Sequence, residues 1–250
     1  MTSLNNNARM SLELDTGNVG RIYDEQADKY ISDFYRADSR ILDIGCGTGR
    51  VIGHMIDQGC SPSNVVGVDP SRKLLEVAKE QFPDMSFVQT IGAELPFAEQ
   101  SFDLITSNMV LHHMDGQTAA DLFECCYEVL KPQGVLFFVD TDPDHCLESK
   151  SNISKWISQP TPWGTEVPAY NHNLWQLLLD DAYFAGFDVR AGWPLYLSED
   201  GKVNPGLYQH YLGKSCRLAV RMQKISPQEK AFRQEHGNET IPSFMETQAY

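Results

Sequence analysis

The chain has 250 residues, 42% of them apolar and 22% charged, which suits one α/β domain with a large core and some additions. Its net charge of −14 argues against nucleic acid or an anionic membrane surface as a main partner, because phosphate binding needs a concentrated basic face; on its own the acidity serves solubility. No apolar run approaches the ~20 residues of a membrane span, so no membrane insertion is expected.

Residues 1–18 are polar and Asn-rich and read as a disordered lead-in, without the apolar core of a signal peptide. The six cysteines form no Cys-x-x-Cys pair, which points to reduced thiols in a cytoplasmic protein. Arg21–Phe34 predicts a helix with Ile22, Tyr23, Tyr30, Ile31 and Phe34 as apolar members. Ile41-Leu42-Asp43-Ile44 reads as a short buried parallel strand, followed at once by Gly45-Cys46-Gly47-Thr48-Gly49 and by a helix over Val51–Ile56. Strand, glycine turn and helix make a cradle for a small molecule. The glycines let the backbone approach a ligand, and the helix start offers free N–H groups; the plain alternative is a tight turn. Arg50 stands where the dinucleotide fingerprint G-x-G-x-x-G needs its third glycine. Val65–Val68 is a second strand ending in Asp69, and an acid there suits ribose hydroxyls.

Ser71, after Pro70, is placed to cap a helix over Ser71–Gln81. Phe87-Val88 begins a third strand and Phe102–Ser107 is a fourth. Thr118–Leu130 has helical apolar spacing, and Pro132–Gly134 turns into a fifth strand, Val135–Val139. Strands alternating with helices imply a parallel sheet covered on both faces. After Asp140 the pattern breaks. Residues 141–171 hold four prolines with Trp156, Trp163 and Tyr170, and so long a connection is usually functional. Asp140–His145 opens like a calcium loop but lacks the glycine and glutamate that such a loop needs at its sixth and twelfth positions, so no metal is expected. Asn173–Ala185 returns to a helix, and Phe187–Leu197 and Leu207–Val220 read as strands, with Pro194 demanding an edge. Ser226–Glu229 is a capping box for a helix that should reach Glu235 and stop at Gly237.

D-I-G-C-G-T-G followed by V-G-V-D-P-S, then Leu95-Pro96-Phe97, Ser101-Phe102-Asp103, His112-His113 and Leu130–Gly134, in that order, resembles the class I methyltransferases that use S-adenosylmethionine (SAM). The likeness is greatest to the small-molecule branch that includes ubiquinone/menaquinone-type enzymes. It implies a seven-stranded Rossmann-like sheet, mostly parallel, with helices on both faces, the sixth strand at the edge and the last running antiparallel inside it. The motifs cover roughly residues 20–140; with the elements that follow, the chain divides into a domain over residues 19–222, with a lid helix at 19–36 and a cap insertion at 141–175, and a short helix and tail over 223–250. Tyr23-Asp24, Ala27 and Tyr30 match the family's Y-D-x-x-A-x-x-Y lid; the alternative is a helix packed on the sheet by two aromatics.

By the same resemblance, SAM and its product S-adenosylhomocysteine are held by Tyr23, Asp43, Gly45, Cys46, Gly47, Asp69, Pro70, Ile91, Gly92, Ser107 and Asn108. Asp43, Gly45 and Gly47 serve the methionine part, Asp69 the ribose, Ile91 and Gly92 the adenine, and Ser107 and Asn108 lie beneath the sulfonium. Many relatives carry an acid or amide at the position of Ile91, so backbone groups would serve the adenine amine here. Methyl transfer from a sulfonium needs alignment, dryness and sometimes a base. His113 or His112 is the candidate base; adjacent side chains diverge, and His113 is preferred, with helix capping as the alternative. Tyr30, Asp140, Trp156, Trp163, Tyr170 and His172 are the candidate acceptor wall. The expected function is methyl transfer to oxygen or nitrogen of a small-molecule acceptor. The alternatives are a SAM-binding protein without transfer and a non-methylating enzyme on the same fold; Arg50 speaks against a nicotinamide oxidoreductase.

Overall fold

A computed structural model of the protein describes residues 18–91, 94–114, 116–141, 179–196 and 215–236. Strand β1 (Ile41–Ile44) is buried at all four positions, as a central strand covered on both faces must be. Around it lie β2 (Val65–Asp69), β3 (Ser86–Gln89), β4 (Phe102–Asn108), β5 (Leu130–Thr141), β6 (Phe187–Tyr196) and β7 (Ser215–Lys224). The order is β3-β2-β1-β4-β5-β7-β6. The first five strands are mutually parallel, and β7 runs antiparallel to both β5 and β6. Pro194 lies in β6, the edge strand, the placement expected of a residue without an N–H to donate. Strand order reverses at β1/β4, so a crevice opens at their carboxyl ends, the usual ligand position in such sheets.

Helices α1 (Asn18–Ile31), α2 (Arg50–Asp57) and α3 (Arg72–Gln81) precede α4 (Gly116–Val129); α5 (Pro227–His236) follows β7. Successive strand residues point to opposite faces. Ile41, Leu104, Phe137 and Val139 meet Ala27 and Ile31 of α1 and Ile52 and Met55 of α2. Leu42, Ile44, Ile105 and Phe138 meet Leu122, Phe123 and Cys126 of α4, together with Leu179 and Ala182 from a helical stretch over 179–184. Each such fully buried large side chain contributes roughly 1.5–3 kcal/mol, so the carboxyl edge sits on a rigid double-sided core.

Over the described residues the predicted elements form, with shifted ends; residues 173–178 of the predicted helix and 207–214 of the last predicted strand lie outside them. α1 starts at Asn18 and gives way to a tighter turn over Ser32–Phe34. β5 begins at Leu130 rather than Val135: the ladder pairs Phe102 with Leu130, then Leu104 with Val135. The intervening residues bulge out with Gln133 at φ 61°, so the predicted turn is embedded in the strand, anchored by Lys131 Nζ on Asp103 at 2.7 Å. β7 runs past Val220 to Lys224 because Met222 is buried in the core and Lys224 Nζ donates to the carbonyls of Tyr127 and Leu130, each at 2.6 Å. Residues 142–178 and 197–214, which include most of the predicted cap and the β6–β7 connection, lie outside the described residues. Ser71 and Ser226 cap as expected, accepting from Leu74 N at 3.4 Å and Glu229 N at 3.2 Å. Among the described residues no helix is long and apolar enough to cross a membrane.

Candidate functional site

The turn after β1 is tight at both ends and open in the middle. Gly45, Gly47 and Gly49 all have positive φ, 69°, 56° and 90°, a region that side chains disfavour. Gly45 N and Cys46 N both donate to Val68 O, at 2.8 and 3.0 Å, which folds the turn over the end of β2. A Cβ on Gly45 would lie 2.2 Å from Val110, and one on Gly49 would lie 2.8 Å from Phe82; one on Gly47 would meet nothing within 4 Å. Gly45 is therefore a packing glycine, whereas Gly47 faces free space.

Two buried acids stand in the strands beside that turn, Asp43 in β1 and Asp69 at the end of β2. Asp69 accepts from Gly47 N at 2.9 Å and Ser71 N at 2.7 Å. Burial still raises its carboxyl above the ordinary value, against the pull of those two N–H groups. Asp43, which is 1% exposed, pairs in register with Thr106 of β4. Thr106 Oγ1 donates to Asp43 Oδ1 at 2.8 Å, and Asp43 Oδ2 has no hydrogen-bond partner. Burial pushes the Asp43 carboxyl up to about 7; Thr106 and Arg50 oppose the shift, while Asp24 and Asp69 add to it. Ser107 Oγ and Asn108 Oδ1, at the end of β4, are also buried without a partner. Unsatisfied buried polar atoms are rare enough in folded proteins to call for an explanation, and three of them collect at this edge.

Over the same edge lies α1. Asp24 Oδ2 forms an ion pair with Arg50, the first residue of α2, and Asp24 Oδ1 accepts from Asn108 Nδ2 at 3.4 Å. One turn further on, Asp28 accepts from Tyr35 OH and lies 3.8 Å from His54 Nε2. Burial works against the Asp28 carboxylate, but His54 and Tyr35 hold it below its ordinary value. The His54 imidazole is correspondingly raised by Asp28. A small cavity lies beneath the helix, lined by Asp24, Asp28, His54, Ser107, Asn108 and Val139 among others.

Of the residues singled out from sequence, Asp43, Gly45, Cys46, Gly47, Asp69, Pro70, Ser107 and Asn108 come together at the carboxyl ends of β1, β2 and β4. Cys46 is buried, and burial raises its thiol above the usual range. Ile91 follows β3 and is 54% exposed, a large apolar side chain left open to solvent. His113 is partly buried in a short turn over Leu111–His113 directly after β4, its N–H donating to Val110 O at 2.9 Å. Asp140 is buried near the end of β5, opposite Leu218. Tyr30 lies further along α1, where its carbonyl accepts from Arg221 of β7 at 3.2 Å. The side chains of Tyr23 and His112, and residues Gly92, Trp156, Trp163, Tyr170 and His172, lie outside what is described. Sequence reasoning missed Thr106, Asp28 and His54, and took Arg50 only as a misfit; the register of β1 on β4 would have pointed to Thr106.

Residues 42–138, the segment from β1 through most of β5, match a family described as a methyltransferase domain. That match spans less than half of the chain, and it shows the likeness of this segment to a methyltransferase domain. The cofactor of this family is SAM. The chain is 35% identical over 101 residues to an uncharacterised methyltransferase of Synechocystis sp., covering 40% of this chain and 46% of the relative. It is 33% identical to a malonyl-[acyl-carrier protein] O-methyltransferase of Enterobacter lignolyticus, covering 50% and 51%, and 30% identical to a ubiquinone/menaquinone biosynthesis C-methyltransferase of Campylobacter jejuni, covering 45% and 48%. The chain thus spans about half the length of the curated relatives it matches. Among solved structures, a SAM-dependent methyltransferase of Methanosarcina mazei superposes with a TM-score of 0.58 at 20% identity, over 78% of this chain and 97% of that one. That likeness speaks for the fold.

Proposed function

We propose that this domain binds SAM at its carboxyl edge and transfers the methyl group to oxygen or nitrogen of a small-molecule acceptor by in-line displacement, as a cytoplasmic enzyme. The observation that carries the reading is the free space over Gly47, at a carboxyl edge where Asp43 Oδ2 and Ser107 Oγ are buried without a hydrogen-bond partner. A turn made only for packing would be closed there, as it is at Gly45 and Gly49.

When bound, SAM supplies an electrophilic methyl on a cationic sulfur whose leaving thioether is neutral. In this reading Asp43 offers a carboxylate to the cationic methionine end, with Gly45, Cys46 and Gly47 giving backbone contact. Asp69 keeps lone-pair capacity for ribose hydroxyls beside its two backbone bonds. Pro70, the exposed Ile91 and Gly92 cover the adenine. Ser107 and Asn108 lie beneath the reacting centre, and Tyr23 on α1 closes over it. His113, just beyond β4, accepts the proton that the acceptor loses. Tyr30, Asp140 and the 141–175 segment, with Trp156, Trp163, Tyr170 and His172, shape the acceptor pocket and keep water out.

Calorimetric titration with SAM, S-adenosylhomocysteine and NAD tests the reading. The first two should bind and NAD should not. Asp69→Ala should weaken both by about 1.5–3 kcal/mol, the worth of hydrogen bonds to a charged group. Binding of NAD, or SAM affinity indifferent to Asp69, would remove this edge as the cofactor site.

A further inference from the structure

We propose that Arg50 is a positioning residue: through Asp24 it clasps the amino-terminal half of α1 to the glycine turn, so that helix and turn act as one unit over the carboxyl edge. The proposal rests on reading that edge as the cofactor site.

The argument starts from local preference. Arg50 is the first residue of α2, directly after the left-handed Gly49. A cation at a helix amino terminus opposes the helix dipole, so local energetics do not account for arginine here. Its tertiary partner does. The Asp24 side chain is 3% exposed, and a carboxylate removed from water is tolerated only when paired and hydrogen-bonded. Its two oxygens go to different elements: Oδ2 to Arg50 on the glycine-turn side, and Oδ1 to Asn108 at the end of β4. One buried carboxylate therefore ties the first helix both to the start of α2, directly after the glycine turn, and to the end of β4.

The carboxyl-terminal half of α1 is fastened in another way. Ala27 and Ile31 are buried in the core with Ile52, Met55 and Phe137, and Asp28 is held by Tyr35 and His54. Those contacts do not involve Arg50. Loss of the clasp should thus free the end of α1 near Asp24 while leaving the other end docked, which makes the Asp28 level a pivot. The charge of Arg50 also favours ionisation of Asp43, so the clasp contributes to the charge balance of the turn.

The test is amide hydrogen exchange on the full chain, paired with SAM affinity and initial rates. In Arg50→Ala, amides of residues 18–27 should exchange at least about tenfold faster than in the wild type, as expected for breaking a buried pair, with β1 and β4 unchanged. The KM for SAM should rise about tenfold while kcat moves far less. Adding Asp24→Asn to Arg50→Ala should recover part of the loss, because it removes the stranded charge. Arg50→Lys, with minimal packing change, should fall between wild type and alanine. Unchanged exchange over 18–27 in Arg50→Ala and Arg50→Lys overturns the clasp, as does a double variant that loses the full product of the two single effects. If the wild type itself fails to bind SAM, the cofactor reading fails, and exchange still judges the clasp independently.

Discussion

Replacing Asp43 by asparagine should stabilise the fold at alkaline pH and damage cofactor binding, a combination that few site substitutions give. The carboxyl titrates at about 7 in the fold against an ordinary 3.8, mainly because of burial. Its folded-state value is raised, so its contribution to stability is fully present below the unfolded value and is lost as pH rises through about 7. At 1.36 kcal/mol per tenfold, the whole loss is on the order of 4 kcal/mol, and on the order of 2–3 kcal/mol of it falls between pH 5 and pH 8. Asparagine keeps the bond from Thr106 through its carbonyl oxygen, and its amide nitrogen takes the place of Oδ2, which has no partner. That new unsatisfied donor costs about 1–3 kcal/mol at any pH. Urea unfolding of both proteins across this pH range isolates Asp43 in their difference, since the other groups titrate in both. The difference should move in favour of Asp43→Asn by roughly 2–3 kcal/mol from pH 5 to pH 8, and SAM affinity of the variant should fall at least about tenfold with loss of the charge-assisted contact. A stability difference independent of pH would refute the reasoning.

Gly47→Val and Gly45→Ala should separate ligand space from packing. A Cβ at Gly47 meets no neighbour within 4 Å, so the first should cost mainly the left-handed strain, about 1–2 kcal/mol, yet should abolish SAM binding; the second drives a methyl into Val110 and should lower Tm, as thermal melts and calorimetry on both would show. His113→Ala should reduce turnover about 10²-fold, the ordinary worth of a general base, with SAM affinity unchanged and the acidic limb of the rate profile lost; a retained rate would make the residue a positioner.

The fold was legible because its signals are local. Ile41–Ile44 is apolar on both faces of a short strand, the glycine run follows at once, and Pro194 points to an edge. Boundaries failed where tertiary contacts override the local pattern. β5 absorbs the Pro132–Gly134 turn because Leu130 already pairs with Phe102, and β7 continues to Lys224 because that ammonium finds two carbonyls 94 and 97 residues away. The same distinction divides the site. The acids at the ends of β1 and β2 could be read from the strand that precedes each, and Gly47 from its turn. The pairing of Asp24 with Arg50, 26 residues apart on two helices, leaves no periodic trace, so Arg50 could be read only as a departure from another family's glycine. His54 sits in an amphipathic stretch where its partner Asp28 is equally invisible. Thr106 gains its role from register alone, as the residue that faces Asp43.

The central claim is that the carboxyl edge delivers a methyl group, and labelled transfer tests it most directly. The full chain is incubated with SAM carrying an isotopic label in the methyl group and with a fractionated extract of small molecules. Label in a small-molecule product and S-adenosylhomocysteine are then quantified together, in the wild type and in Gly47→Val. Labelled product and S-adenosylhomocysteine should appear in equal amounts with the wild type and not with the variant. Tight SAM binding by the wild type without S-adenosylhomocysteine above the uncatalysed background in any fraction, or label transfer that survives Gly47→Val, would contradict it.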